Sequence, residues 1–535
     1  MLLLVRLKQI APPAAMIAMV ALSALIATEP FQTAAEPLQH STPSPRIQLL
    51  DELTGQVVAG NIAATGVSPG YRKWLRKAGV DGSGVRVAVV DSGISPLHPD
   101  LDGDKVVARF DYGTPAEPID SWGHGTYVAS VLAGDPDITK ELRDSNGFIY
   151  GLGIAPKAQL VSQNYAATST QLGWPTYEEM AADSVSVDAY IWNASWSEFP
   201  AEIGYSDSEE RLDRLVRDAD PNRRGQQELL IVFAAGNDAQ EGPSNPHEGK
   251  NVITVGGVGS GRGEFDLPVE PSSPDSISPN STRGPTSDGR MFPTLVAPET
   301  WVAVARAPDS PIGGVVCYFV VPGASFYCSG GGTSMAAPHV SGAAALVHEW
   351  WRETFRGRPS PAMVKALLVA SAQDIGKPNI PNVGEGWGRL SMKGLFTTRG
   401  DRFIDQSRTL GETGESFSDS FRLQPGHGPL KITLAWSDAP GTHNSRVLVN
   451  DLDLVLQKTN ARGRARALWR GNNFRAGWSQ QGGQSDRMNN LEAIYVESPK
   501  AGTYRVLVKA TRLAGDGVLG SRDRSDQDFA LVVRS

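Results

Sequence analysis

Gly330-Gly331-Gly332 runs into Thr333-Ser334-Met335 and then into an alanine-rich stretch that reads as a helix ending near Trp350. Glycine lets the backbone take positive φ and approach a ligand closely. A helix start offers unpaired N–H groups and the positive end of the helix dipole. A serine placed there has its hydroxyl beside donors suited to a developing anion, which is what acyl transfer to a hydroxyl requires. The same position also suits a serine that only caps the helix. Ser334 alone therefore does not separate chemistry from capping.

A serine hydroxyl is a weak nucleophile, so it needs a base, and the base needs an orienting partner. The chain has 8 histidines. His40, His247, His427 and His443 lie among Pro, Gly, Ser and Asn and read as loop residues. His339 follows Ser334 by five positions, which turns it to another face of the same helix, and His348 is near that helix's end. His98 lies in the turn-like Leu97-His98-Pro99-Asp100. His124 differs, because Gly123-His124-Gly125-Thr126 opens an apolar-periodic run with glycine on both sides. Its plain reading is a structural histidine at a helix start.

For the orienting acid, Val85-Arg86-Val87-Ala88-Val89-Val90 is the short β-branched run of a buried parallel strand, and it ends in Asp91-Ser92-Gly93. Open α/β sheets place their sites at such carboxyl ends. A second run, Ile231-Val232-Phe233-Ala234-Ala235-Gly236-Asn237, ends in an asparagine whose amide could donate to an oxyanion. Turn residues are the plain reading of both Asp91 and Asn237.

These pieces occur in the order Asp91, His124, Asn237, Ser334, and the order Asp, His, Ser is that of subtilisin rather than of chymotrypsin or the α/β-hydrolases. With VAVVDSGI, GHGTYVASVLAG, FAAGN and GGTSMAAPHVSGAAAL, and lesser matches in LHPDL, GIAPKAQL, NVITVGG and STRGPT, the chain resembles the subtilisin-family serine peptidases, or subtilases, over roughly residues 70–395. The resemblance implies a nucleophile at Ser334, a general base and acid at His124, and an orienting carboxylate at Asp91. It implies an oxyanion hole from the Asn237 amide and the Ser334 N–H. It also implies that the substrate adds as a strand, one side chain lying between Ser195-Trp196-Ser197 and Ala234-Ala235-Gly236. Relatives often have glycine where Ser197 stands, and glycine after the proline where this chain has Ala297-Pro298-Glu299. The implied activity is a secreted serine endopeptidase that hydrolyses protein or peptide substrates through an acyl-enzyme. The alternative is a non-catalytic binding protein on the same scaffold, which predicts loss of a catalytic group, whereas all four are present. Esters as natural substrates stay open.

At 535 residues, 40% hydrophobic and 20% charged, the chain is long enough for two or three ordinary globular domains. A net charge of −8 without a basic cluster argues against nucleic acid as a partner. Arg6 and Lys8 precede an apolar stretch from Ile10 to Ala27 and small residues near Thr33-Ala34-Ala35, which reads as a signal peptide over 1–35. An uncleaved anchor is the alternative. The expectation is a secreted monomer with no membrane association after signal removal. Residues 36–66 form a linker or short pro-segment, too short for the compact folding propeptide common among extracellular relatives. Cys317 and Cys328 either pair across a short loop, as export permits, or stay as buried thiols.

The peptidase domain is expected over 67–400, an α/β unit with a mainly parallel central sheet and a helix over Pro361–Ala372. After Asp401, period-2 alternation takes over, as in Lys431–Trp436, Leu452/Leu454/Leu456 and Tyr504/Val506/Val508, which predicts an all-β sandwich over 401–535. LAWSDAPG, LVNDLDLVL, MNNLEAIYV and AGTYRVLVKA resemble the C-terminal jelly-roll domain of two-domain bacterial alkaline subtilases, several of which bind calcium. Asp451 and Asp453, two apart on a strand, project to one side. With Asp438 or Asn450 they are either a hard oxygen-rich site for structural calcium or a solvated face. The resemblance also matches Asp100 to a calcium ligand of some subtilisins. No cofactor is required for the chemistry, and no Cys/His cluster suggests zinc.

Overall fold

The computed structural model describes residues 51–535 apart from 64–65, 113–118, 121, 145, 166–174, 199–200, 262–272, 311–316, 318–319, 322, 443–446 and 522. The signal peptide expected over 1–35, most of the segment after it, His40 and His443 lie outside the described residues.

Described structure begins with α1 (Asp51–Val58), a two-residue-per-strand hairpin of β1 (Ile62–Ala63) and β2 (Gly66–Val67), and α2 (Tyr71–Ala78). Buried Glu52 fixes this region, accepting hydrogen bonds from Gly70 N (2.8 Å), Tyr71 N (2.7 Å) and Ile149 N (2.8 Å). Residues read as part of a pro-segment are thus tied into the α/β structure.

Seven parallel strands follow: β3 (Arg86–Asp91), β4 (Val106–Asp111), β5 (Gln159–Asn164), β6 (Ala189–Ala194), β7 (Leu230–Ala234), β8 (Ile253–Val258) and β9 (Leu295–Pro298), in the order β4-β5-β3-β6-β7-β8-β9. The central strands are continuous apolar runs because helices cover both faces. From β3 the chain goes to one side for β4 and β5, then crosses to the other for β6. The connections therefore diverge at the carboxyl end of β3, which leaves a crevice there.

One face of this sheet packs on α3 (His124–Ala133) and on α6 (Thr333–Phe355); the other packs on α4 (Tyr177–Ser186) and α5 (Asp207–Arg217). Both of the latter start in capping boxes, Thr176 with Glu179 and Ser206 with Glu209. β10 (Val302–Ala305) and β11 (Tyr327–Gly330) pair antiparallel and deliver the chain into α6. Cys317 and Cys328 are free, buried thiols. The second alternative for the pair is the one this structure shows.

After α7 (Pro361–Ser371) come two antiparallel sheets. β12 (Arg402–Leu410), β20 (Gln527–Arg534), β14 (Leu430–Ala435) and β18 (Leu491–Val496) form one. β13 (Ser416–Leu423), β19 (Gly502–Arg512), β15 (Asp451–Thr459), β16 (Ala465–Arg475) and β17 (Trp478–Gln481) form the other. Leu430, Ile432, Leu434, Leu531 and Val533 fill the space between them. The alternate residues Ala435, Ala493, Tyr495, Ala530 and Val532 belong to the same apolar core as α7 and the parallel sheet. Strands β14, β18 and β20 of the four-stranded sheet are therefore buried on both faces, and Tyr495 Oη donates to Val369 O of α7 (3.0 Å).

Buried charges cross the same boundary. Arg217 of α5 makes a two-pronged pair with Asp528 (2.7 and 2.9 Å) and also donates to Ser437 O. Lys250 Nζ stands between Asp213 (3.2 Å) and Asp438 (3.4 Å), with all three side chains fully buried.

Candidate active site

Asp91, His124, Asn237 and Ser334 come from four elements that end at the same edge of the parallel sheet. Asp91 is the last residue of β3 and His124 the first of α3. Asn237 lies three residues past β7, and Ser334 is in the first turn of α6.

Asp91 and His124 meet directly. His124 Nδ1 is 2.8 Å from Asp91 Oδ1, which also accepts from Ser92 N (2.8 Å). The Asp91 side chain is 4% exposed and that of His124 18%. Nδ1–H is the donor to the carboxylate, so Nε2 is left unprotonated and available as a base. Burial pulls the His124 pKa down, but the charge and hydrogen bond of Asp91, with a contribution from Asp120, outweigh it and leave the pKa above 6.5.

Close approach of α3 to β3 depends on Gly125. A Cβ there would stand 2.0 Å from Gly93 O. Room for the backbone, rather than for substrate, is what this glycine provides. Gly123 holds φ 77° at the helix cap, where glycine carries no strain.

Asp120 is a site residue that sequence reasoning missed. Its Oδ1 accepts from Ser92 Oγ (2.7 Å) and Gly123 N (2.8 Å), and its Oδ2 from Thr126 N (2.9 Å) and Thr126 Oγ1 (2.5 Å). Ser92 Oγ accepts in turn from Gly125 N (2.9 Å). This network clamps the start of α3 onto the turn after Asp91. Burial raises the Asp120 carboxyl to about 6, against the opposing hydrogen bonds of Thr126 and Ser92. The only local signal was an acidic residue four positions before His124.

Ser334 is held from the other side of the crevice. Its hydroxyl donates to Ser195 O (3.2 Å), and Ser195 Oγ donates to Ser334 O (3.0 Å). Pro338 explains why that carbonyl is free: four residues on, it has no N–H to close the helical bond back to Ser334. Among the described residues the Ser334 hydroxyl is bonded to Ser195 rather than to His124. It must rotate towards Nε2 before proton transfer, a tightening expected when substrate binds.

Asn237 is oriented by Thr333, whose N (2.8 Å) and Oγ1 (3.0 Å) both donate to Asn237 Oδ1. Fixing Oδ1 aims Nδ2 away as a donor. The side chain closes over Gly332, where a Cβ would come within 3.1 Å of the amide.

The two segments expected to flank a substrate side chain follow β6 and β7. Ser197 is exposed, whereas the indole of Trp196 turns inward, donating to Val90 O (2.9 Å) and packing on Tyr165, Tyr177 and Phe233. Ala234 and Ala235 are buried and Gly236 takes φ 100°. Glu299 is buried against Gly257, where a Cβ would stand 1.8 Å from its Oε2, so one glycine makes room for the other position's departure.

Asp451 and Asp453 do share a side of β15, but Arg487 joins them, 3.3 Å from Asp451 and bonded to Asp453, which also accepts from Thr511 Oγ1 (2.7 Å). Asp438 is engaged by Lys250 and by Val449 N and Asn450 N. These carboxylates fit a guanidinium and an ammonium rather than calcium. Asp100 accepts from Tyr327 Oη (2.7 Å). No group of three or more His, Cys, Asp or Glu among the described residues is arranged to hold a metal.

A family model described as the subtilase family matches residues 82–388, which include every one of the four residues above. The chain belongs to the subtilase family. Among curated proteins it is similar to the Serine protease/ABC transporter B family protein tagA of Dictyostelium discoideum, 23% identical over 85% of this chain and 30% of that protein. It is 29% identical to Serine protease AprX of Bacillus subtilis, over 56% of this chain and 64% of that one. With Subtilisin Savinase of Lederbergia lenta it shares 31% identity over 51% of this chain and 78% of the relative. The chain thus spans less than two thirds of the first two relatives. No helix among the described residues is long and apolar enough to cross a membrane.

Proposed function

We propose that this subtilase is a serine endopeptidase that cleaves peptide bonds through an acyl-enzyme. The observation that carries the reading is the 2.8 Å contact of His124 Nδ1 with a buried Asp91, opposite a serine in the first turn of α6. Nε2 of His124 takes the Ser334 proton as Oγ attacks the scissile carbonyl, then returns it to the leaving amine. Asp91 stabilises the imidazolium and holds its tautomer. The Ser334 N–H and Asn237 Nδ2 take the oxyanion, a donor of this kind being worth roughly 10²–10³ in kcat. Water then attacks the acyl-enzyme by the same route in reverse. A serine-directed phosphonylating reagent tests this: it should label Ser334 stoichiometrically and stop hydrolysis of a denatured protein, and unlabelled Ser334 with activity lost elsewhere would refute it.

The chain is further read as an exported protein with a peptidase domain ending near residue 400 and a sandwich domain over 401–535. The Glu52 contacts support extending the peptidase unit back to residue 51. Mass spectrometry of the purified protein tests both export and this boundary. A mature amino terminus before Asp51 is expected, and one after Val58 would contradict it.

A further inference from the structure

Averaged over the whole chain, a net charge of −8 hides an uneven division. Residues 401–535 hold 19 Lys and Arg against 15 Asp and Glu, which leaves 31 against 43 of the chain's 50 and 58 for residues 1–400. The sandwich therefore carries a surplus of cations on an acidic chain, and the expectation of no basic cluster is corrected. The register of the five-stranded sheet gathers this surplus at one end. Thr459 of β15 stands opposite Thr503 of β19 and Ala465 of β16, and Thr503 stands opposite Arg422 of β13. The end of β13, the start of β19, the end of β15 and the start of β16 thus lie side by side. Arg462 and Arg464 of the β15–β16 turn, Lys500 of the loop before β19, Arg422 and Arg466 are all exposed there. The turn is a defined one: Asn460 Oδ1 accepts from Arg462 N and Arg464 N, both at 3.0 Å, and Gly463 takes φ 73°.

These cations lack counter-ions. The ion pairs within the sandwich are made by other residues: Arg402 with Asp419, Arg487 with Asp451 and Asp453, and Arg534 with Asp401. Among the described residues none of Arg422, Lys458, Arg462, Arg464, Arg466 and Lys500 meets a carboxylate. Across the loops 424–429, 460–464 and 497–501 the single carboxylate is Glu497. Lys458 links two of the segments, since its Nζ donates to Lys500 O (3.1 Å) and lies 5.6 Å from the centre of the Tyr504 ring. Like charges held together without counter-ions set up a positive potential that draws anions.

We propose that this end of the sandwich is a docking surface for an acidic polysaccharide. Such a chain presents carboxylates or sulfates at intervals with hydroxyls between them. The surface matches it with guanidinium and ammonium groups set among Thr459, Thr503, Ser420 and Gln457, the last of which accepts from Arg505 Nε (3.2 Å). Single-stranded nucleic acid fits less well, because its bases need exposed rings to stack on, whereas Tyr504 and Trp469 are buried in the sandwich core. A membrane fits less well too: from Asn460 to Arg466 the chain has only Asn, Ala, Arg and Gly, with nothing apolar to insert. The inference stands apart from the reading of the crevice.

The test passes the full chain, carrying Ser334→Ala against self-digestion, over immobilised heparin and polygalacturonate. Neutral dextran, single-stranded DNA and phosphatidylserine vesicles are run alongside. Retention on both acidic polysaccharides, release by salt and no retention on dextran are expected. Arg462→Ser, Arg464→Ser and Arg466→Ser together keep Asn460 and Gly463, and so the turn. They should weaken binding about tenfold and lower the slope of log affinity against log salt by about 2, through counter-ions no longer released. Lys73→Ser, Arg76→Ser and Lys77→Ser remove the same charge from exposed positions of α2 and should leave binding unchanged. Equal loss in both triple variants, or retention indifferent to the turn arginines, overturns the proposal. Tighter binding to DNA or to vesicles than to the polysaccharides overturns it as well. Should the turn variant fail to fold, Arg422→Ser with Lys500→Ser reads the same release, and no change there overturns it equally.

Discussion

Two clusters of buried charge can be set side by side. At the boundary with the sandwich, Lys250, Asp213 and Asp438 are fully buried and mutually paired, and Arg217 spends both terminal nitrogens on Asp528 and Ser437. At the crevice, Asp91 binds His124 through one oxygen while its Oδ2 has no hydrogen-bond partner among the described residues, and His124 keeps an exposed edge. In the first cluster every charge meets an opposite charge, although Arg217 Nε has no hydrogen-bond partner among the described residues, and its charges hold the structure. The second is left open at Nε2 and at Asn237 Nδ2, and its Ser334 hydroxyl is held by a single 3.2 Å bond to Ser195 O; these are the points where a reacting group must enter. Charge paired with charge gives stability; pairing that stops short at a reacting atom gives reactivity.

The comparison breaks most visibly at Ser334. Ser334→Ala should reduce peptide hydrolysis by roughly 10⁶-fold while thermal unfolding barely moves, since only one 3.2 Å surface-side hydrogen bond is lost. Asn237→Ala should lower kcat by roughly 10²–10³ with KM little changed, read by steady-state kinetics on a single peptide. The closed cluster should respond in the opposite sense. Arg217→Met leaves Asp528 buried without its partner and should cost about 3–5 kcal/mol in denaturant unfolding, with kcat per folded molecule kept.

pH sharpens the contrast within one residue. His124 has a folded pKa above 6.5, so kcat/KM should fall about tenfold per unit as pH drops below that point, because the protonated ring is no base. The sign for stability is reversed: a raised pKa favours folding when the ring is protonated, below about 6.5, and that contribution is lost as pH rises through the folded value. The smallest effect is expected from Asp120→Asn. It should cost about 1–3 kcal/mol through a donor facing a donor at either Gly123 or Thr126, and lower the pH at which activity appears, since Asp120 is one source of the upward shift. An activity profile unchanged by this variant would separate Asp120 from the base.

What local pattern could carry, the sequence carried. Val85–Val90 reads as a strand ending at Asp91, and β3 ends there. His124 reads as a helix start, Ser334 as the first turn after a glycine run, and alternation after Asp401 as sheets. The remainder depends on partners far away in the chain. Arg217 and Asp528 are separated by 311 positions, and Lys250 and Asp438 belong to different architectures. Period 2 placed Asp451 and Asp453 on one side correctly, but the guanidinium that meets them comes from Arg487. His247 looks like a loop residue because its neighbours are Pro, Gly and Asn; its burial comes from Trp196 and Phe233, which lie in other strands' ends.

The strands β20, β14 and β18, covered on both faces, also bear on time. The apolar side of α7 and the carbonyl of Val369 also meet β14, β18 and β20, some of which arrive more than 150 residues later by the count from Val369 to Val532. Contacts of such separation are slow to form, and once closed they must open together. Slow opening of this boundary is the expected consequence, and it would keep the strands and α7 closed to proteolytic attack.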